Sequence, residues 1–124
     1  MADVWLRTQP TDIVVAVDRS GSMGLPLSMA GSTTRLAASQ EALQFLGRLI
    51  PQVVPGGDGR PHRLALVSFN DTATTQLNLT ALNSAGFASA WSNAVVSLTA
   101  SGASSIPAGI NAARGHVLSA TNAN

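Results

Sequence analysis

Apolar and polar positions alternate along the chain in short blocks whose spacing reads as strand, helix and strand. Ile13, Val14, Val15, Ala16 and Val17 form a mostly β-branched run closed by Asp12 and Asp18, the pattern of a strand buried on both faces. After a Gly- and Ser-rich stretch from Ser20 to Ser32, Thr33 to Ile50 carries Leu36, Leu43, Leu46 and Ile50 on one helical stripe, and Pro51 ends the run. The turn-dense segment Pro55 to Pro61 reads as a linker, and Leu64 to Val67 leads into Phe69 as a second apolar strand. That order predicts a right-handed parallel unit. From Thr74 to Thr80 the period is two, with Thr75, Leu77 and Leu79 on one face and Thr74, Gln76 and Asn78 on the other. This suits a half-exposed edge strand antiparallel to the one before it. Ser84 is placed to cap a helix bearing Phe87, Trp91 and Val95, core positions by their spacing. Pro107 opens a last helix with Ile106, Ile110, Ala113 and Val117 on one face.

In this arrangement the first strand, the most apolar, is left at a sheet edge, where an unpaired hydrophobic strand is an association hazard. The pattern therefore predicts an α/β fold whose sheet is only partly built within 124 residues. A chain of that length buries roughly two-thirds of its unfolded surface, enough for one core. With 45% hydrophobic and 10% charged residues the composition excludes a disordered chain. No apolar run approaches the length of a membrane helix, about 20 residues. The formal net charge is only +1 and the seven basic residues, all Arg, are scattered apart from Arg60 and Arg63. Nucleic acid is therefore not an expected partner. The lack of Cys excludes disulfides and thiolate metal sites, and Met1 to Pro10 has no apolar core of a secretory signal.

The constellation that carries chemistry is Asp18-Arg19-Ser20-Gly21-Ser22, directly after the first strand. Ligands of open α/β sheets gather beyond the carboxyl ends of strands. This loop brings one carboxylate and two hydroxyls there at spacings of two. Oxygen-only ligation with little protein charge suits Mg²⁺ or Mn²⁺ retaining several waters, whereas Zn²⁺ seeks His or Cys. A single carboxylate leaves such an ion with residual positive charge, so an external carboxylate is the expected partner group. The competing structural reading has the same residues merely capping a turn.

The stretch Asp12 to Met23, DIVVAVDRSGSM, closely resembles the opening of a von Willebrand factor type A domain, whose metal-ion-dependent adhesion site carries D-x-S-x-S. The resemblance continues through Leu64 to Asp71 (LALVSFND), Leu79-Thr80 and the loop Ser101 to Ile106. It implies a doubly wound, mostly parallel, Rossmann-like α/β sheet with helices on both faces and the first strand in the middle. Here that sheet is incomplete, with one antiparallel edge strand. Residues 1–11 are a lead-in and 12–124 a partial domain. The resemblance further implies that Ser20 and Ser22 bind Mg²⁺ or Mn²⁺ directly and that Asp18 holds it mainly through water. Ser104 stands where the family usually has Thr, with Ser101 and Ser105 as neighbouring hydroxyls. The family's second aspartate, in a Thr-Asp-Gly after the next strand, has no counterpart in the sequence. The expectation is therefore a site with four of its five usual protein groups, weakened unless the rest of the domain or a partner strand beside the first strand completes it.

The implied function is non-enzymatic: divalent-cation-dependent binding of a protein ligand that supplies a Glu or Asp. The same family also docks subunits in intracellular chelatase and ATPase complexes, and flanking sequence discriminates the two settings. A haloacid-dehalogenase-like phosphohydrolase using Asp18 as nucleophile expects a second Asp two residues later, where this chain has Ser20. Asp71 follows the second strand and stands either near the metal loops or in its own turn, with the turn favoured; Arg19 and Met23 occupy variable loop positions read as exposed loop packing ahead of ligand contact; His62 and His116 read as surface or core histidines rather than metal ligands. The all-Arg, Ala- and Ser-rich composition points to a GC-rich bacterial source, and the resemblance leans toward an extracellular or cell-surface setting.

Overall fold

The structure, a computed structural model, describes residues 11–28, 31–50 and 61–123. In chain order the elements are β1 (Asp12–Asp18), α1 (Arg35–Leu49), β2 (Arg63–Phe69), β3 (Ala73–Ala81), α2 (Phe87–Val96) and α3 (Ile106–Ala123), with one 3-10 turn at Gly21–Gly24. The helix end at Pro51 and most of the linker, Pro55 to Arg60, lie outside the described residues.

The sheet has the order β1-β2-β3, with β1 parallel and β3 antiparallel to β2. The fold is thus α/β with a three-stranded mixed sheet, incomplete by the standard of a doubly wound fold. The β1–β2 register is pinned at both ends. At the start the Arg63 guanidinium forks onto the Asp12 carboxylate, with Nε to Oδ1 at 2.7 Å and Nη2 to Oδ2 at 2.8 Å. At the finish the Arg19 N–H donates to the Phe69 carbonyl at 2.9 Å. His62 is buried just before β2, where its Nδ1 accepts from the Thr11 N–H at 3.0 Å. That is a structural role, as read from the sequence.

β2 is the central strand, and its residues from Leu64 to Phe69 are all buried. Leu64 and Leu66 face one side, where Leu36 and Leu43 of α1, Phe87, Trp91 and Val95 of α2, and Leu98 close the core. Each fully buried large apolar side chain there contributes about 1.5–3 kcal/mol of transfer free energy. The Phe87 and Trp91 rings stack at 6.0 Å between centroids, and Trp91 Nε1 donates to the Leu43 carbonyl at 2.8 Å. The predicted α1 stripe holds, with Leu46 and Ile50 half-buried against this cluster. The helix begins two residues later than expected, capped by Thr34, whose hydroxyl accepts from Ala37 N–H at 3.0 Å.

Four local expectations are corrected. β1 is not buried on both faces: among its residues Ala16 is exposed and only Val17 is buried, and among the described strands it pairs with β2 alone, at the edge position the pattern predicts. The single apolar face of β3 is split, because the β2–β3 register shifts between Leu64 and Leu66 and again between Leu66 and Val67. Such bulges break the period-two alternation. Thr75 consequently meets His116 of α3 at 2.9 Å, whereas Leu77 packs into the core under α1 and α2. Ser84 does not cap α2. Its hydroxyl bonds the Ala81 carbonyl at 2.8 Å within a turn, and Gly86 takes the cap position with no side-chain bond.

The fourth correction concerns α3. Its large apolar residues do not face the sheet: Ile106 is 58% and Ile110 60% exposed. The helix instead rests on the face of β2 opposite the main core through Gly109, which is buried against the Phe69 ring. Ala112, Ala113 and His116 are half-buried around that contact. A bulky residue at position 109 has no room, so close approach selects small side chains on the sheet side. Gly115 of the same helix has nothing within 4 Å of a Cβ position.

These two glycines give a paired prediction. Gly109→Ala gains helix propensity of about 1 kcal/mol but forces a methyl into the Phe69 ring, an overpacking cost of about 1–3 kcal/mol. Urea unfolding is expected to show a net loss. Gly115→Ala meets no obstacle and is expected to stabilise by about 0.5–1 kcal/mol.

Candidate metal centre

β1 and β2 end side by side at Asp18 and Phe69, so the loop after β1, the turn after β2 and the loop before α3 meet at one rim of the sheet. Asp18 Oδ1 accepts the Ser20 N–H at 2.8 Å, which folds the loop back over the strand end. Ser20 is buried, and its hydroxyl lies 3.2 Å from that of Ser22. From the other side the Ser104 hydroxyl donates to Asp18 Oδ2 at 3.0 Å, across 86 positions of sequence. Asp18, Ser20, Ser22 and Ser104, all selected from the sequence, are therefore brought together.

The three serines of the later loop differ in their contacts. Ser101 turns away to Arg19, whose Nη1 lies 3.3 Å from its hydroxyl, and Ser105 Oγ accepts the Ala108 N–H at 3.4 Å at the start of α3. Ser104 alone of the three reaches Asp18. Two backbone bonds fasten the loops to each other: Gly21 N–H to the Gly102 carbonyl and Ser101 N–H to the Arg19 carbonyl, each 2.8 Å. Arg19 adds a longer bond to the Thr99 carbonyl at 3.4 Å. Arg19 is thus a clamp between loops, as loop packing requires, whereas Met23 is half-buried against the core rather than in exposed loop packing.

Asp71 departs from its expected role. Its Oδ1 accepts the Ala103 N–H at 2.7 Å, so it braces the later loop rather than serving only its own turn. Its neighbour Asn70 donates from Nδ2 to the Ser101 carbonyl at 3.1 Å and accepts the Ser105 N–H on its carbonyl at 2.7 Å. Sequence reasoning ranked a place near the metal loops below the turn role for Asp71, and read Asn70 only as part of the turn. The available signal was position: Asn70 and Asp71 follow the carboxyl end of a buried strand, as Asp18 does.

Asp18 feels opposing influences. Burial raises its pKa and is the largest single influence, but the Ser20 N–H and the hydroxyls of Ser20 and Ser104 together outweigh it and hold the carboxyl below its ordinary value. The carboxylate is thus kept ionised with both oxygens engaged. Among the described residues no group of three or more His, Asp or Glu gathers in a way that could hold a metal. The hydroxyls of Ser20, Ser22 and Ser104 gather around the Asp18 carboxylate, while the Asp71 carboxylate is engaged with the Ala103 N–H.

Comparison with known proteins bears on the fold and the family. A family profile described as the von Willebrand factor type A domain matches residues 13–124. No curated protein sequence matches the chain. Among solved structures, the chain is similar to the vWF domain of the type V pili tip protein Mfa5 from Porphyromonas gingivalis, with 20% identity over 90% of this chain and a TM-score of 0.69. It is also similar to the PilB minor pilin from Streptococcus sanguinis (16% identity over 90%, TM-score 0.73) and to a von Willebrand factor type A structure from Catenulispora acidiphila (18% over 85%, TM-score 0.66). The chain spans 33%, 27% and 22% of those three chains respectively. Identities this low establish likeness of fold, while the profile match spans nearly the whole sequence and includes the D-x-S-x-S loop. The chain belongs to the von Willebrand factor type A domain family.

Proposed function

We propose that this chain is a divalent-cation-dependent protein-binding domain in which Asp18, Ser20, Ser22 and Ser104 hold Mg²⁺ or Mn²⁺ and a Glu or Asp of a protein partner completes the site. The observation that carries this reading is the meeting of four oxygen donors from two loops at the carboxyl end of β1. Their spacing fits the ion. Neighbouring ligands of an octahedral Mg²⁺ at 2.0–2.1 Å stand about 2.9 Å apart. The hydroxyls of Ser20 and Ser22, the direct ligands in this reading, stand 3.2 Å apart, and Ser104 stands 3.0 Å from Asp18 by direct hydrogen bond. When bound, the cation supplies positive charge that one protein carboxylate leaves partly unneutralised, which is what a partner's Glu or Asp recognises. Ser20 and Ser22 are presented by the loop after β1, and Ser104 is presented by the loop ahead of α3.

Two further observations support binding rather than catalysis. Both oxygens of Asp18 accept hydrogen bonds within the rim, and Ser20 occupies the position where an aspartyl phosphohydrolase has its second carboxylate. The neighbours that are pilus components, a tip protein and a minor pilin, accord with a cell-surface interaction role. The partner surface also has a backbone component in this reading. β1 pairs with β2 alone among the described strands, and its interior from Ile13 to Val17 carries neither charge nor Pro. A further strand, from the remainder of the domain or from a partner, is proposed beside it.

Two measurements check this reading. Mg²⁺ or Mn²⁺ at about 100 times its Kd is expected to stabilise the fold by about 2.7 kcal/mol, seen as a raised Tm, and Ser22→Ala is expected to abolish the response. An unchanged response in that variant contradicts the site assignment. The second concerns pH in the absence of metal. Because the folded pKa of Asp18 is depressed, its stabilising contribution is present above the ordinary Asp value of about 3.9 and is lost as pH falls through the lower folded value. Asp18→Asn is therefore expected to flatten this acid limb of the stability profile.

A further inference from the structure

The proposed site has three protein groups on one loop and the preceding strand, but its fourth, Ser104, comes from a separate loop whose placement needs its own explanation. The peptide N–H groups on either side of Ser104 are both taken by the turn between β2 and β3. The Ala103 N–H donates to Asp71 Oδ1 at 2.7 Å, and the Ser105 N–H donates to the Asn70 carbonyl at 2.7 Å. Gly102, just before this pair, has φ +76, and a Cβ there would run into the Asp71 carboxylate. The loop is therefore seated directly on the turn, with Gly required by both backbone conformation and space. Held between these two anchors, Ser104 extends its hydroxyl to Asp18.

We propose that Asp71 is a positioning residue for the cation site: its carboxylate oxygen fixes the Ala103 amide and thereby sets where the Ser104 hydroxyl stands relative to Asp18. This rests on the cation-binding reading above. Asp71 and Ala103 are both exposed, so water takes over the Ala103 N–H when the accepting carboxylate is removed and no buried donor is left unsatisfied. Placement of a metal ligand is far more sensitive to its supporting bond. The two effects therefore separate experimentally. Asn at position 71 keeps an acceptor oxygen in the same place, whereas Ala removes it.

The test titrates Mn²⁺ into the wild-type protein and into Asp71→Ala, Asp71→Asn and Ser22→Ala, with the metal-free Tm and amide hydrogen exchange at Ala103 recorded for each. Expected is a loss of affinity of about 10- to 100-fold in Asp71→Ala, with Asp71→Asn within about twofold of wild type. The metal-free Tm should be nearly unchanged in both, and the Ala103 amide should exchange faster only in Asp71→Ala. If Asp71→Ala binds Mn²⁺ as wild type does while Ser22→Ala has lost it, the positioning role is wrong and the cation site stands. If Asp71→Asn loses as much affinity as Asp71→Ala, the charge of Asp71 acts rather than its hydrogen bond, and the proposal is overturned. If Ser22→Ala takes up Mn²⁺ like wild type, or if wild type takes up none, the cation-binding reading itself fails and this inference falls with it.

Discussion

Four backbone hydrogen bonds at one rim of the sheet hold together segments that are far apart in sequence: Arg19 to Phe69, Ser101 to Arg19, Gly21 to Gly102 and Ser105 to Asn70, all between 2.7 and 2.9 Å. Everything proposed about function depends on them. A hydroxyl 86 positions from Asp18 reaches it only because the strand ends, the turn and the later loop are joined amide to carbonyl before any side chain takes part. Backbone groups suit this task because their directions are set by the main chain itself, whereas a side chain must first lose rotamer freedom. Side chains then complete the seating, with Arg19 reaching across from the first loop and Asn70 and Asp71 from the turn.

The rim can be held this way because the platform beneath it is stiff. β2 is buried along almost its whole length, between α1 and α2 on one face and α3 on the other. The two interfaces differ in kind. On one, large side chains interlock, with Trp91 against Phe87 and close enough to Gly47 that a Cβ there would strike the indole. On the other, α3 comes close because Gly109 offers no side chain to the Phe69 ring. Since α3 begins immediately after Ser105, the seating of that helix also limits where the Ser101 to Ser105 loop can go.

Much of this was legible in the sequence where a local pattern carries its own physics. The apolar run from Ile13 to Val17 identified β1, the four-residue spacing of Phe87, Trp91 and Val95 identified the buried face of α2, and the D-x-S-x-S string marked the rim loop. What the pattern missed depends on tertiary contact. The Ile106, Ile110 and Val117 stripe looks like a core face, yet the Phe69 ring selects the small residues beside it. The β3 alternation fails at bulges set by pairing with β2, and Ser84 loses its capping role to a turn that uses its hydroxyl. Among the neighbouring serines 101, 104 and 105, no local rule distinguishes the one that meets Asp18. The family resemblance singled out Ser104, and the contacts of Arg19, Asp71 and Asn70 are what bring it, rather than its neighbours, to Asp18.

The most direct measurement of the central claim is an anomalous difference map from crystals of the protein grown with Mn²⁺. The account predicts one peak at the rim, within direct coordination distance of the hydroxyl oxygens of Ser20 and Ser22, with Ser104 and Asp18 around it. A map with no peak at this rim, or with the ion bound elsewhere and these four side chains still bonded to one another, contradicts it.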